Sequence, residues 1–189
     1  KNEFLSWNWK GYEGETMVVH VYSRSPKVRL YLNNRLLGEK EVNLDTYTAS
    51  FEVPYEPGQL KAVNLKGKKE TTSTCTTGIP AMIRLTADHT KIKADKNDLS
   101  YVKVEILDKN EKLIPDCSVP LEIKSAGKGA VIAAGNGSAD DMRSFRSLKP
   151  KTFRGKAIAI VQPNTEKGTI TLTVSAEGLP EAAIVIETY

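Results

Sequence analysis

From Met17 to Glu187 apolar and polar side chains alternate in short runs separated by turn residues, and no run carries the spacing of a convincing amphipathic helix. A half-buried strand puts every second side chain on the core face. Val28, Leu30 and Leu32 fall on one side of such a strand, with Lys27, Arg29 and Asn33 on the other. Val102, Val104 and Ile106 alternate in the same way with Tyr101, Lys103 and Glu105. Ile170, Leu172 and Val174 alternate with threonines, β-branched residues that suit a pleated surface.

In the first half this pattern predicts strands at 16–22, 27–33, 36–42, 47–53, 59–65 and 69–76. Asn33-Asn34-Arg35 reads as a tight hairpin because asparagine tolerates positive φ, and Pro54 to Gly58 reads as a longer turn. At Thr77-Gly78-Ile79-Pro80-Ala81 a Thr-rich strand ends, and Pro80 removes a backbone donor before a new apolar pattern starts at Met82. Strands are then expected near 82–87, 99–107, 118–124, 130–134, 154–162, 168–176 and 182–188. Short strands at this spacing predict an all-β chain of two tandem immunoglobulin-like β-sandwiches, residues 1–79 and 80–189.

One stretch departs from the rhythm. The 18 residues from Gly135 to Thr152 form a connection longer than a compact sandwich needs, and loops of that length are usually functional or contacting. Two readings compete: a solvated loop with Phe153 dipping into the core, or a domain-contact loop in which Arg143, Phe145, Arg146 and Lys149 dock on another domain.

Composition narrows the classes. The 189 residues are 40% hydrophobic and 26% charged, as in ordinary soluble chains, and no stretch approaches the ~20 apolar residues of a membrane helix, so no membrane insertion is expected. No charged-then-apolar leader opens the chain, so a secretion signal is expected to have been removed or to lie outside this piece. The net charge of +4 is spread over both halves without a basic stripe, which argues against nucleic-acid binding. Cys75 and Cys117 fall one in each expected sandwich and read as free thiols. Neither they nor His20 and His89 stand at metal-ligand spacing, so no metal and no cofactor is expected.

Candidate chemistry is sparse. Hydrolysis by a general acid–base pair needs two carboxylates about 5–10 Å apart across a cleft, one with a raised pKa. Glu13 and Glu15 sit in a glycine-flanked turn, and Asp140-Asp141 read as a solvated turn or helix cap, with a cation site as the sharper alternative. A Ser-His-acid arrangement would have to use His20 or His89, and neither has a nucleophile motif nearby. Trp7 and Trp9, the only tryptophans, would face the same way on a strand. They read either as a packing plug or as a substrate-binding platform, because the flat apolar face of a sugar ring packs well on indole. Asn136-Gly137-Ser138 fits a glycosylation sequon but reads as a turn.

Three segments together carry a family resemblance. Ser6 to Glu15, with Trp7, Trp9, Gly11 and Gly14, resembles the segment that leaves the catalytic barrel in Bacteroides-type β-galactosidases of glycoside hydrolase family 2. Val28 to Asn33 with Leu37-Gly38, then Val53 to Ala62, resembles the immunoglobulin-like domain that follows. Ile83 to Asp88, Leu99 to Val102 and Gly155 to Ala157 resemble the next domain, a relative of invasin-type bacterial immunoglobulin-like modules. The resemblance implies a C-terminal fragment of a larger sugar hydrolase, with no catalytic residue matched here. Its expected work is to brace the barrel and lend a loop to substrate access or domain contacts. Its partners would be the other domains of the parent enzyme and, in the alternative reading of a carbohydrate-binding or adhesin-like pair, glycans. It also implies a periplasmic or cell-surface home.

Overall fold

A computed structural model describes residues 3–189, in which the regular elements are fourteen β-strands. The chain divides into two compact units, Lys1–Thr76 and Thr77–Tyr189.

The first unit contains β1 (Thr16–Tyr22), β2 (Lys27–Leu32), β3 (Arg35–Glu41), β4 (Thr48–Pro54), β5 (Gln59–Asn64) and β6 (Thr71–Cys75). They form a two-stranded sheet, β1-β4, and a four-stranded sheet in the order β3-β2-β5-β6, antiparallel throughout. Val28, Leu30 and Leu32 of β2 are fully buried with Ala49, Phe51 and Val53 of β4 and Leu60 and Ala62 of β5. Burying one such aliphatic side chain stabilises the unit by ~1.5–3 kcal/mol. The β2–β3 hairpin turns on Asn33 and Asn34, both with positive φ (51° and 64°), so the turn is two residues long and Arg35 already belongs to β3.

The second unit contains β7 (Met82–Ala87), β8 (Lys91–Ile92), β9 (Ser100–Leu107), β10 (Glu122–Gly127), β11 (Gly129–Gly135), β12 (Lys156–Pro163), β13 (Gly168–Ala176) and β14 (Leu179–Thr188). Two four-stranded sheets, β10-β13-β14-β8 and β11-β12-β9-β7, enclose one core in which Val102, Val104, Ile106, Ile170, Leu172 and Val174 are fully buried. The alternation read from the sequence thus becomes the all-β sandwich pattern expected of immunoglobulin-like domains.

Two differences from the expected strands have physical causes. β8 has only two residues, too few to show alternation; its Ile92 is fully buried, and it pairs parallel with β14. The strand expected from 118 begins only at Glu122, because Pro120 lacks a ladder donor and the preceding residues pair irregularly with the long loop.

Candidate functional site

The long connection between β11 and β12 is an ordered structure held from both sides. On its outgoing leg Asn136 acts as a clamp. Its side-chain oxygen accepts the Ser138 N–H (2.8 Å), while its amide nitrogen donates to Asp141 Oδ2 (2.7 Å) and to the Lys151 carbonyl (2.8 Å). Asp141 is gripped by the Arg143 guanidinium, with Nε on Oδ1 at 2.8 Å and Nη2 on Oδ2 at 2.5 Å. These charge-assisted bonds, ahead of the Arg143 backbone and Asn136 bonds, hold the Asp141 carboxyl far below the usual carboxylate range.

The return leg is stitched to the segment before β10. Ile123 N–H donates to the Leu148 carbonyl (2.9 Å), Leu121 to Pro150 (2.8 Å) and Thr152 to Val119 (2.8 Å). Thr152 Oγ1 also accepts the Val119 N–H at 2.8 Å. Pro150 and Thr152 are buried and Leu148 packs on the core. The inward side chains are therefore these three, and Phe153, expected to dip into the core, stays 37% exposed. The cause is local: Arg154 (φ 52°) and Gly155 (φ 72°) form a tight turn bridging Phe153 and Lys156, which holds Phe153 outside. Gly155 is required there twice over, since a Cβ would lie 2.2 Å from the Ile114 carbonyl oxygen.

The four residues expected to form a contact loop separate into two pairs. Arg143 is occupied by Asp141, and Lys149 Nζ pairs with Glu122 at 3.3 Å. Phe145 and Arg146 face outward. The Ala134 N–H bonds the Phe145 carbonyl (2.7 Å), and a Cβ on Gly135 would come within 2.6 Å of the Phe145 ring, so this aromatic lies over the glycine and is still 64% exposed. Among the described residues the Arg146 guanidinium has no partner.

Beneath the loop runs an open groove of about 380 Å³, lined among others by Asn136, Ser138, Asp140, Lys151, Thr152 and Phe153. Beside its floor Cys117 is half-buried, and burial, reinforced by Asp116, pushes its thiol up to about 11. It is an inert thiol at neutral pH, not a nucleophile.

Trp7 is buried at 2% exposure, and residues 7–9 lie outside any strand. Its indole N–H donates to the Glu56 carbonyl (3.0 Å) and its ring meets Tyr55 edge-on at 5.2 Å, while the Thr76 hydroxyl donates to its carbonyl (2.7 Å). The packing plug is thus the role its geometry fits, and no face is left for a sugar. Trp9 is half-buried, its N–H on the Tyr55 hydroxyl at 3.1 Å.

Among the described residues, nothing at these sites builds a catalytic pair. Glu13 accepts the Gly11 N–H (3.0 Å) in an exposed turn, and Asp141 is locked in its ionised form by Arg143. Nor, among the described residues, is any group of three or more His, Cys, Asp or Glu placed to hold a metal. One constellation escaped sequence reasoning: the β1–β4 register puts Ser50 opposite His20, with Ser50 Oγ 2.8 Å from His20 Nδ1. The third member, Glu3, stands 3.8 Å from the other ring nitrogen, beyond hydrogen-bond reach, on the open face of a two-stranded sheet. The ring is therefore not oriented as a base for Ser50. Only the pairing of strands thirty residues apart signals this contact.

Comparison with known proteins places the two units in one context. Residues 83–185 match the profile described as glycoside hydrolase family 2 C-terminal domain 5. Residues 14–72 match a domain of unknown function, DUF4982. A β-galactosidase of Bacteroides ovatus, BoGH2A, is 33% identical over 185 residues, covering 97% of this chain and 22% of its own length. A solved glycosyl hydrolase family 2 member from Bacteroides cellulosilyticus superposes with a TM-score of 0.94 at 36% identity, over 97% of this chain and 24% of that one. A β-glycosidase from Bacteroides vulgatus does so at 0.90 and 30%, over 97% and 24%. The chain thus spans about a quarter or less of the length of these relatives.

Proposed function

The chain belongs to glycoside hydrolase family 2, as C-terminal domain material, and from that premise we propose that it is a non-catalytic accessory segment of a β-galactosidase-like hydrolase. Its units, taken as domains 1–79 and 80–189, brace a catalytic barrel carried elsewhere in a longer protein of the periplasm or cell surface. The 136–155 loop contacts another domain of that protein through Phe145 and Arg146.

One observation carries this reading. The loop satisfies its own interior, with Asn136, Asp141, Arg143 and Lys149 all engaged, yet presents a 64% exposed aromatic and an unpaired guanidinium outward. Aromatic and arginine side chains are the residue types that anchor interfaces.

The test uses this chain and the full-length protein side by side. The chain alone is expected to leave nitrophenyl galactoside and glucuronide intact; hydrolysis that tracks it through purification would overturn the accessory role. In the full-length protein, Phe145→Ala with Arg146→Ala is expected to lower kcat/KM or thermal stability, while the same pair leaves this chain's own unfolding unchanged. An unaffected full-length protein would remove the loop contact.

A further inference from the structure

We infer that the groove beneath the 136–155 loop is a weak binding site for a neutral pyranose, a mono- or disaccharide, with Phe153 as its stacking face. Its volume of about 380 Å³ falls within the range of small-ligand sites. The site is preformed: its floor is Thr152, buried and bonded to Val119 through both backbone and hydroxyl, and its wall is the Asn136–Asp141–Arg143 knot. Ser138, Asp140 and Lys151 are among the residues lining the groove, and among the described residues their side chains have no partner. Phe153 is held out by the Arg154-Gly155 turn; the Arg154 guanidinium lies over one face of its ring, 5.2 Å from the centroid, so a sugar would stack on the other.

A sugar ring offers an apolar C–H face and hydroxyls that both donate and accept. An aromatic wall beside one free hydroxyl, one free acceptor and one free donor matches that pattern. The two free charges have opposite sign and Arg143 is already neutralised by Asp141, so the groove lacks the cationic excess that a phosphate or nucleotide requires. The sugar-hydrolase reading guides only the choice of sugars to try.

The test is an amide-shift NMR titration of the whole 189-residue chain with galactose, lactose and glucuronate. Saturable millimolar binding of the neutral sugars is expected, with the amides of 138–140 and 151–153 moving together. Phe153→Ala is expected to weaken it about tenfold, the scale of one lost aromatic contact. Asp140→Asn, at an exposed position that leaves the fold intact, is expected to weaken it as well, and Trp9→Ala to leave it unchanged. Shifts absent at tens of millimolar sugar, shifts confined to the surroundings of Trp9, or binding of glucuronate alone would each overturn the site. A silent groove in a chain whose full-length parent still hydrolyses galactosides would refute the sugar site and leave the accessory-domain reading standing.

Discussion

Trp7→Ala separates a packing residue from a sugar platform, and the structure sets the size of the effect. Trp7 is 2% exposed and touches two separated parts of the first unit: the Tyr55-Glu56 turn, through the Tyr55 ring and the Glu56 carbonyl, and the Thr76 hydroxyl, through its own carbonyl. Truncating a buried tryptophan to alanine costs ~3–5 kcal/mol, the lost contacts plus the cavity left behind. A unit the length of Lys1–Thr76 has a total stability of ~4–11 kcal/mol, so the substitution removes about half of it. With a urea m-value of ~1.5 kcal/mol/M the midpoint of this unit falls by about 2–3 M. Both tryptophans of the chain lie in the first unit, so their fluorescence reports it alone, and Trp9 remains as the probe in the variant. Far-UV circular dichroism, which sees both units, is expected to show the second unit's transition unmoved. Trp9→Ala, at a half-buried position, serves as the milder control. A Trp7→Ala midpoint within a few tenths molar of wild type, or no lower than that of Trp9→Ala, would refute the packing argument.

Asp108 gives a pH signature for the second unit. Its buried carboxylate accepts the N–H groups of Gly78, Asn110 and Lys112 at 2.8, 2.8 and 3.0 Å. Burial pushes its pKa up, but these bonds, with the charge of Lys112, outweigh it and leave the pKa below the ordinary value. A depressed folded pKa means that the stabilisation is complete above the unfolded value of about 3.9 and is lost as pH falls through the folded one. Asp108→Asn is therefore expected to cost ~1–3 kcal/mol at pH 7 and to flatten the acid limb of stability below about pH 4, read by urea unfolding across pH; an unchanged acid limb would refute it. Gly155→Ala combines a positive φ of 72° with a Cβ 2.2 Å from the Ile114 oxygen. It is expected to destabilise the second unit by at least ~1–3 kcal/mol in thermal unfolding, and a neutral result would mean that the Phe153–Lys156 turn is not as described.

The fold was legible because its signals are local. Alternation along β2, β9 and β13 matches their buried faces, and the asparagine pair turns where asparagine's tolerance of positive φ says it should. Where the signal was short or interrupted, the reading failed: β8 has two residues, and Pro120 stands at the head of an expected strand. The loop was legible as unusual, but its inward and outward residues were not. Aromatic character suggested Phe153 for the core, whereas Leu148, Pro150 and Thr152 took that place by pairing with 119–123.

An all-β chain of short strands, the lack of any matched hydrolase motif, and membership of a sugar-hydrolase family through three ordered segments could all be read from the residues in order. The first follows from side-chain periodicity and turn chemistry, which act over a few residues; the other two rest on the resemblance of those segments to a known family. Folding in three dimensions was needed to make Trp7 a plug, to let Asp141 consume Arg143 while Arg146 stays free, and to bring Ser138, Asp140, Lys151 and Phe153 into one groove. Those outcomes depend on long-range pairing, in which partners some thirty residues apart meet, as Val119 meets Thr152, because core packing selects one register over its neighbours.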